Sequence, residues 1–456
     1  MGCRTAGIRL GDLHRRPINA AAPATKEDEH VRIAVVGTGI AGLTCVELLR
    51  RRHDVTVFEA DTRPGGHTNT VAVSLPDADL QVDTGFLVYT ERAYPLLTRL
   101  FRRLGTPTQP ADMSFSVRDE TTGVEWRGTS PATVFAQPAN AARPAFWRML
   151  VDVARFNRAC RSVLERGSEP DGLVLRELVA RGRWSAEFVD GYLVPIGSSI
   201  WSADPGRFLD MPVATFAAFF DRHGLLRFGD QAPWRTVTGG ARRYVDAILA
   251  APQAEGRLHL GTPVVKLRRD GDQVELLTGA GAARFDHVVV AAHADQALGM
   301  LGDPTTAERD VLGALRYQAN RAVLHTDASL LPRRKRARAS WNYHVLADRP
   351  PAATLTYDIT RLQQLPTATP VLVTLNREDA IDPATVLAAF DYAHPVCDAA
   401  AVAARRRHAE LNDAAASIGD DRGRVWYCGA YWGDGFHEDG ARSAVAVCRR
   451  LGGEEL

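Results

Sequence analysis

The stretch Ile33-Ala-Val-Val-Gly37-Thr-Gly39-Ile40-Ala41-Gly42, then a helical run, then Val55-Thr-Val-Phe58-Glu59-Ala60, constrains this chain more than any other. It reads as a strand, a glycine turn, a helix and a second strand ending in an acid. Gly37 permits the tight turn, Gly39 lets the backbone approach a pyrophosphate, and Gly42 lets the helix pack closely on the strand. The diphosphate would sit at the helix N-terminus, on the unpaired N–H groups around Ile40 and Ala41, where the dipole favours negative charge. Glu59 lies 22 residues beyond Gly37, the spacing at which an acid bonds the ribose of an adenosine. The alternative is a Gly-rich turn of an ordinary α/β protein. Apolar strands on both sides, with the acid at that distance, favour a dinucleotide site.

Two further segments bear on which dinucleotide it is. Arg63-Pro64-Gly65-Gly66-His67-Thr68 comes straight after the second strand, and Val82-Asp83-Thr84-Gly85-Phe86 lies a little beyond it. The chain closes on Val425-Trp-Tyr-Cys428-Gly429 and Gly435-Phe-His437-Glu-Asp439-Gly440-Ala441. In these segments the sequence resembles the flavin-containing amine oxidase superfamily, which includes phytoene-desaturase-like and protoporphyrinogen-oxidase-like enzymes. The resemblance runs from about Val31 to the end and is strongest at the two extremes. It implies that the second diglycine contacts FAD near its diphosphate and flavin. It also implies a final helix whose N-terminus points at the flavin pyrimidine, where the dipole stabilises negative charge on reduced flavin. By the same resemblance Ala60, Arg63, Gly65, Gly66, His67, Thr68, Gly85, Phe86, Gly429, Gly440 and Ala441 contact FAD, with Val264 near the adenine. His67 stands where the family usually has arginine. FAD is therefore the expected cofactor, with NAD second.

A chain of 456 residues suggests two domains. The resemblance implies a Rossmann-type FAD-binding domain with an interleaved α+β substrate domain, an α/β architecture like that of amine oxidase and p-hydroxybenzoate hydroxylase. The FAD-binding pieces would be 31–110, 236–300 and 421–456, and the substrate domain 111–235 and 301–420. Helices are expected over Phe146–Leu164, Leu173–Val179 and Ala241–Ala250, and strands over Leu258–Leu267, Phe285–Ala292, Ala322–Thr326 and Val371–Leu375. Residues 1–30 read as a disordered leader or a misassigned start, because Arg15-Arg16 is not followed by an apolar signal region.

A formal net charge of +1 gives no global attraction to nucleic acid, and no apolar run approaches the length of a membrane span. The six cysteines show no CxxC or other metal-ligand spacing, so reduced thiols in a cytoplasmic protein, and no metal, are expected. Arg333, Arg334, Lys335, Arg336 and Arg338 form a basic run, either a solvated turn or a contact with an anionic membrane or an acyl carrier.

The amine-oxidising branch typically holds a lysine under flavin N5. Here Arg321 stands at the corresponding strand position, and the chain's three lysines lie elsewhere. An arginine cannot act as a base, but it could order water or bind a carboxylate. His437 occupies the place of an aromatic ring that would flank a substrate amine, and is a candidate proton donor or acceptor. Glu438 and Asp439 are expected to cap the final helix. Trp341-Asn-Tyr-His344 is expected to line the cavity opposite the flavin or to pack in the core. Neither Cys397 nor Cys428 has a signature for covalent attachment, so non-covalent FAD is expected.

The sequence looks closest to a bacterial subgroup of predicted NAD/FAD-binding proteins, through Gly66-His-Thr-Asn-Thr, Ser340-Trp-Asn-Tyr343 and Gly435–Gly440. Members accompany cyclopropane-fatty-acid-synthase-like methyltransferases, which implies a small-molecule or lipid substrate carrying an acyl chain. The leading expectation is an FAD-dependent oxidoreductase that desaturates or otherwise oxidises such a substrate. The alternatives are an amine oxidase releasing imine and hydrogen peroxide, and a non-catalytic lipid-group-binding protein.

Overall fold

Ile33, Ala34 and Val35 are wholly buried, because their strand lies in the middle of a sheet covered on both faces. The computed structural model describes residues 30–167, 172–227, 229, 232–416 and 424–456, so the expected leader lies, His30 apart, outside the described residues. Five parallel strands form the sheet: β1 (Arg32–Val36), β2 (Asp54–Phe58), β3 (Leu258–His259), β4 (His287–Val290) and β5 (Val425–Tyr427). Their spatial order is β3-β2-β1-β4-β5. Helix α1 (Ile40–Leu49) connects β1 to β2, and every one of its residues is buried. A helix buried on all sides must be clasped on all sides. Here the sheet, the helix Arg242–Ala254 and the final helix His437–Arg450 enclose it.

The single strand expected over Leu258–Leu267 is two. Leu258–His259 ends the parallel sheet, and Val264–Asp270 opens a separate antiparallel sheet with Gln273–Thr278 and Gly281–Phe285. Gly261, at φ +58°, and Pro263 turn the chain between them.

A seven-stranded sheet gathers Val386–Pro395, Tyr317–His325, Leu372–Leu375, Leu355–Asp358, Trp341–Val345, Phe115–Asp119 and Glu125–Arg127, in that spatial order. Within it the pair Trp341–Val345 with Phe115–Asp119 is parallel, and the other pairs are antiparallel. One face sends Ala322, Leu324, Tyr343 and Val373 into a core shared with the helices Pro144–Arg166 and Val213–Arg222. The aromatic residues of 184–220 join this core, with Phe216 stacked on Phe220 at 4.0 Å. They reach Phe436 through Phe219, at 4.8 Å. The opposite face carries a buried polar row. His344 Nε2 meets Thr356 Oγ1 at 3.0 Å, Thr356 meets Thr374 at 2.8 Å, and Thr374 meets His325 Nε2 at 2.8 Å. Strand alternation thus divides Trp341–His344: Tyr343 packs in the core, and His344 joins the polar row.

Candidate cofactor site

The glycines that open α1 serve two different ends. Gly37 sits at φ +100°, where a Cβ would lie 2.9 Å from the carbonyl oxygen of Ala291. A Cβ on Gly42 would lie 2.0 Å from the carbonyl oxygen of Gly37. Both are therefore required by the fold. Around Gly39 the space is open, with nothing within 4 Å of an added Cβ. The N-terminus of α1 has no side-chain cap and no acidic residue in its first turn, so its positive end is available to an anion.

Glu59, at the end of β2, accepts hydrogen bonds from the backbone N–H of Thr38 at 2.8 Å and of Asp61 at 3.0 Å. The Thr38 hydroxyl donates to Glu59 and accepts from the N–H of Gly65 at 2.9 Å, which ties the two glycine turns together. Gly66 backs onto Gly39, since its Cβ would lie 3.2 Å from the Gly39 Cα. Arg63 donates to the carbonyls of Gly66 at 3.0 Å and Thr68 at 3.3 Å, so it braces this loop. Gly85 is pressed against the same loop, where a Cβ would lie 2.2 Å from the His67 carbonyl oxygen. Gly440 brings the final helix onto α1, with space for no more than a hydrogen beside Ile40 Cγ2, and Ala441 is buried next to it. Gly429 is held by Ser443, whose hydroxyl accepts its N–H at 2.9 Å. Val264 packs in one cluster with Phe58, next to Glu59, whereas Ala60 is exposed. An open glycine, an uncapped helix end and an acid at the end of β2 fit the diphosphate and ribose of a dinucleotide.

The other end of this loop meets a cluster of rings. His437 stacks on Phe86 at 3.9 Å, and its Nε2 lies 3.1 Å from Thr68 Oγ1, which in turn bonds the Tyr244 hydroxyl. His67 stacks on Tyr392 at 5.0 Å and meets His394 edge-on at 5.1 Å. His293 stands 6.2 Å from His67 and stacks on Tyr317 at 4.3 Å. The Tyr392 hydroxyl bonds Asn69 and Thr84, and the His394 Nδ1 bonds the Asn320 amide at 3.0 Å. His67 Nε2 is buried with no partner. Burial pushes His437 down to about 3 and His394 to about 4, the latter helped by His293. Burial, then His394 and His293, holds His67 well below its ordinary value. The imidazoles are therefore neutral at physiological pH. Among the described residues, no group of three or more His, Cys, Asp or Glu side chains is arranged to hold a metal ion.

His293 and His394 are too far apart in sequence to be grouped by spacing, and the fold brings them to His67. The one local signal was the i, i+2 relation of Tyr392 and His394, which puts both on one face of a strand.

Arg321 is not placed as expected. It pairs with Asp391 at 3.0 Å and lies within 3.7 Å of Glu378, and all three side chains are solvent-exposed to a large degree. Strand alternation is the cause: Asn320 turns toward His394, and its neighbour must face the other way. An exposed pair of this kind contributes little. Arg321→Ala should therefore leave flavin content and the rate of flavin reduction within about twofold of wild type, as measured by absorbance and stopped flow. Asp439 does cap the final helix region, accepting from the N–H of Phe436 at 3.1 Å. Glu438 caps a different helix, accepting from the N–H groups of Leu96 and Leu97 at the start of Pro95–Leu104. Cys428 lies 3.7 Å from Cys45 in the buried core, and Cys397 accepts a hydrogen bond from Arg405 at 2.8 Å.

Cradle, acid and two tied glycine turns define a protein built to hold a dinucleotide beside a cluster of buried rings. The sequence model of the family described as flavin containing amine oxidoreductase matches residues 40–343, about two-thirds of the chain. The chain belongs to this family, and its cofactor is FAD. The protein named "Putative flavin-containing monoamine oxidase AofH", from two strains of Mycobacterium tuberculosis, is 30% identical over 276 residues. That match covers 57% of this chain and 56% of AofH, so the chain spans about half the length of the curated relatives it matches. Cyclohexylamine oxidase from Brevibacterium oxydans IH-35A shares the fold with a TM-score of 0.64 at 18% identity, over 93% of this chain and 100% of its own. The CLA-producing fatty acid isomerase from P. acnes does so with a TM-score of 0.65 at 14% identity, over 92% of this chain and 98% of its own. At these identities the likeness is one of fold.

Proposed function

We propose that this chain is an FAD-dependent oxidoreductase that moves hydride between flavin N5 and a carbon of an apolar, acyl-lipid-like substrate. The observation that supports the reading is the cluster of buried rings beside the glycine turns. His67, His293, His394 and His437 are held neutral by burial, and their ring and hydrogen-bond partners are Phe86, Tyr317, Tyr392, Thr68 and Asn320. None of these partners is an anion that would seat a protonated amine. The aromatic core reaches Phe436 through Phe219, so the side chains that lead up to the final helix are apolar.

FAD, when bound, supplies the two-electron chemistry. The chain binds the diphosphate at Gly39 and the N-terminus of α1, and the ribose at Glu59. Removing two hydrogens from neighbouring carbons sends one off as hydride and the other as a proton. We assign His437, linked through Thr68 to Tyr244, to relaying that proton onward, since burial keeps its imidazole from retaining one. His437→Ala should slow flavin reduction roughly a hundredfold without loss of FAD, and an unchanged rate would demote the residue to structure. The resemblance to AofH supports a second reading, oxidation of an amine to an imine with two electrons passed to oxygen as hydrogen peroxide.

Anaerobic titration of the flavin-loaded protein separates the readings. Bleaching by acyl-phospholipid alone supports the lipid reading, and bleaching by amines overturns it in favour of the second. Bleaching by NADPH alone reverses the direction of electron flow.

A further inference from the structure

Helix Pro144–Arg166 turns two large apolar side chains into solvent, with Trp147 49% and Val151 57% exposed. They stand one turn apart, on one helix face. Both border a cleft of about 980 Å³ shared with Trp184, Arg148, Arg155 and Arg183. The acids in the cleft are matched: Asp152 pairs with Arg155, and Glu187 with Arg148. Arg183 has no acid partner among the described residues.

The basic run lies beside this patch. Arg333, Arg334, Lys335 and Arg336 are exposed, and no ion pair among the described residues neutralises them. Arg338, expected to belong with them, turns inward and donates to the Pro332 carbonyl at 3.0 Å. The turn is pinned by its backbone, since the N–H groups of Arg333 and Arg334 both donate to Glu125 at 2.9 Å. Lys335–Ala337 packs on the short helix Pro131–Val134. Phe135, at the end of that helix, lies 5.2 Å from Trp147. Exposed apolar anchors and unmatched cations thus adjoin through a single helical turn.

We propose that this face docks the protein onto the surface of a bilayer rich in anionic phospholipid. The indole and the valine enter the boundary between headgroups and acyl chains, while the four cations meet lipid phosphates. Cations alone would suit an acidic protein equally, but Trp147 and Val151 give the face a use for hydrocarbon. Among the described residues no helix is long and apolar enough to cross a membrane, so the contact is peripheral. The inference is independent of the substrate.

The flavin-loaded protein should sediment with phosphatidylglycerol-containing vesicles, not with pure phosphatidylcholine vesicles, and high salt should release it. Arg333→Glu, Arg334→Glu, Lys335→Glu and Arg336→Glu together should weaken binding at least about a hundredfold. Trp147→Ser with Val151→Ser should weaken it roughly tenfold, with flavin content and melting temperature unchanged in both variants. No preference for anionic vesicles, or undiminished binding by both variants, would overturn the proposal. So would tight binding to polyglutamate without vesicle binding, which would assign the face to an acidic protein.

Discussion

Gly39→Val should yield a folded, colourless protein. Gly39 sits at φ −62° and ψ 174°, a conformation open to any residue, so valine meets no backbone strain. Nothing lies within 4 Å of its Cβ, so the protein itself offers no clash. The isopropyl group instead fills the path of the diphosphate over the N-terminus of α1. Loss of several charge-assisted hydrogen bonds there should cost FAD affinity about a thousandfold or more, on the order of 4 kcal/mol. Absorbance after gel filtration reads the flavin, and the melting temperature should match that of wild-type apoprotein. Gly42→Ala is the contrasting variant, because its Cβ would lie 2.0 Å from the Gly37 carbonyl oxygen. It should lose the fold along with the cofactor. A fully yellow Gly39→Val protein would mean that this turn does not bind the diphosphate.

Mild acid should unfold the protein. Burial holds His344 and His437 at about 3, and His223, His287, His325 and His394 at about 4. These folded-state values lie below the unfolded one, so the stability they allow is complete above about pH 6.5 and lost as pH falls toward the folded values. By pH 5 each imidazole favours the unfolded chain by about 2 kcal/mol, and the six together by about 12 kcal/mol. Asp358, Glu438 and Asp439, which burial raises, oppose them, as does Asp83, which burial raises to about 7 and whose contribution grows as pH falls. Its share by pH 5 is about 3 kcal/mol, too small to reverse the sign. The net loss is comparable with the whole stability of a typical domain. Far-UV circular dichroism should show cooperative unfolding near pH 5. A protein still native at pH 4 would mean that these imidazoles take up protons without losing their packing.

The dinucleotide cradle was legible because its chemistry is local. Gly37, Gly39, Gly42 and Glu59 act within one strand-turn-helix-strand unit, and the spacing of that unit is itself the signal. Buried strands such as His287–Val290 were legible for the same reason, as short apolar runs between turn residues. Errors arose where a single-residue shift decides the outcome. Arg321 and Asn320 are adjacent in sequence, yet only Asn320 faces the ring cluster. Glu438 reads as a cap for its own helix, yet a neighbouring helix claims it.

The sequence by itself determined the parallel sheet, the glycine turn that opens its first helix and the family, because glycine sterics and strand apolarity operate over a few residues. Only the tertiary structure decided the ring cluster around His67. His67, His293, Tyr392 and His394 come from segments far apart in the chain, and their neutrality is a property of shared burial that no single segment carries.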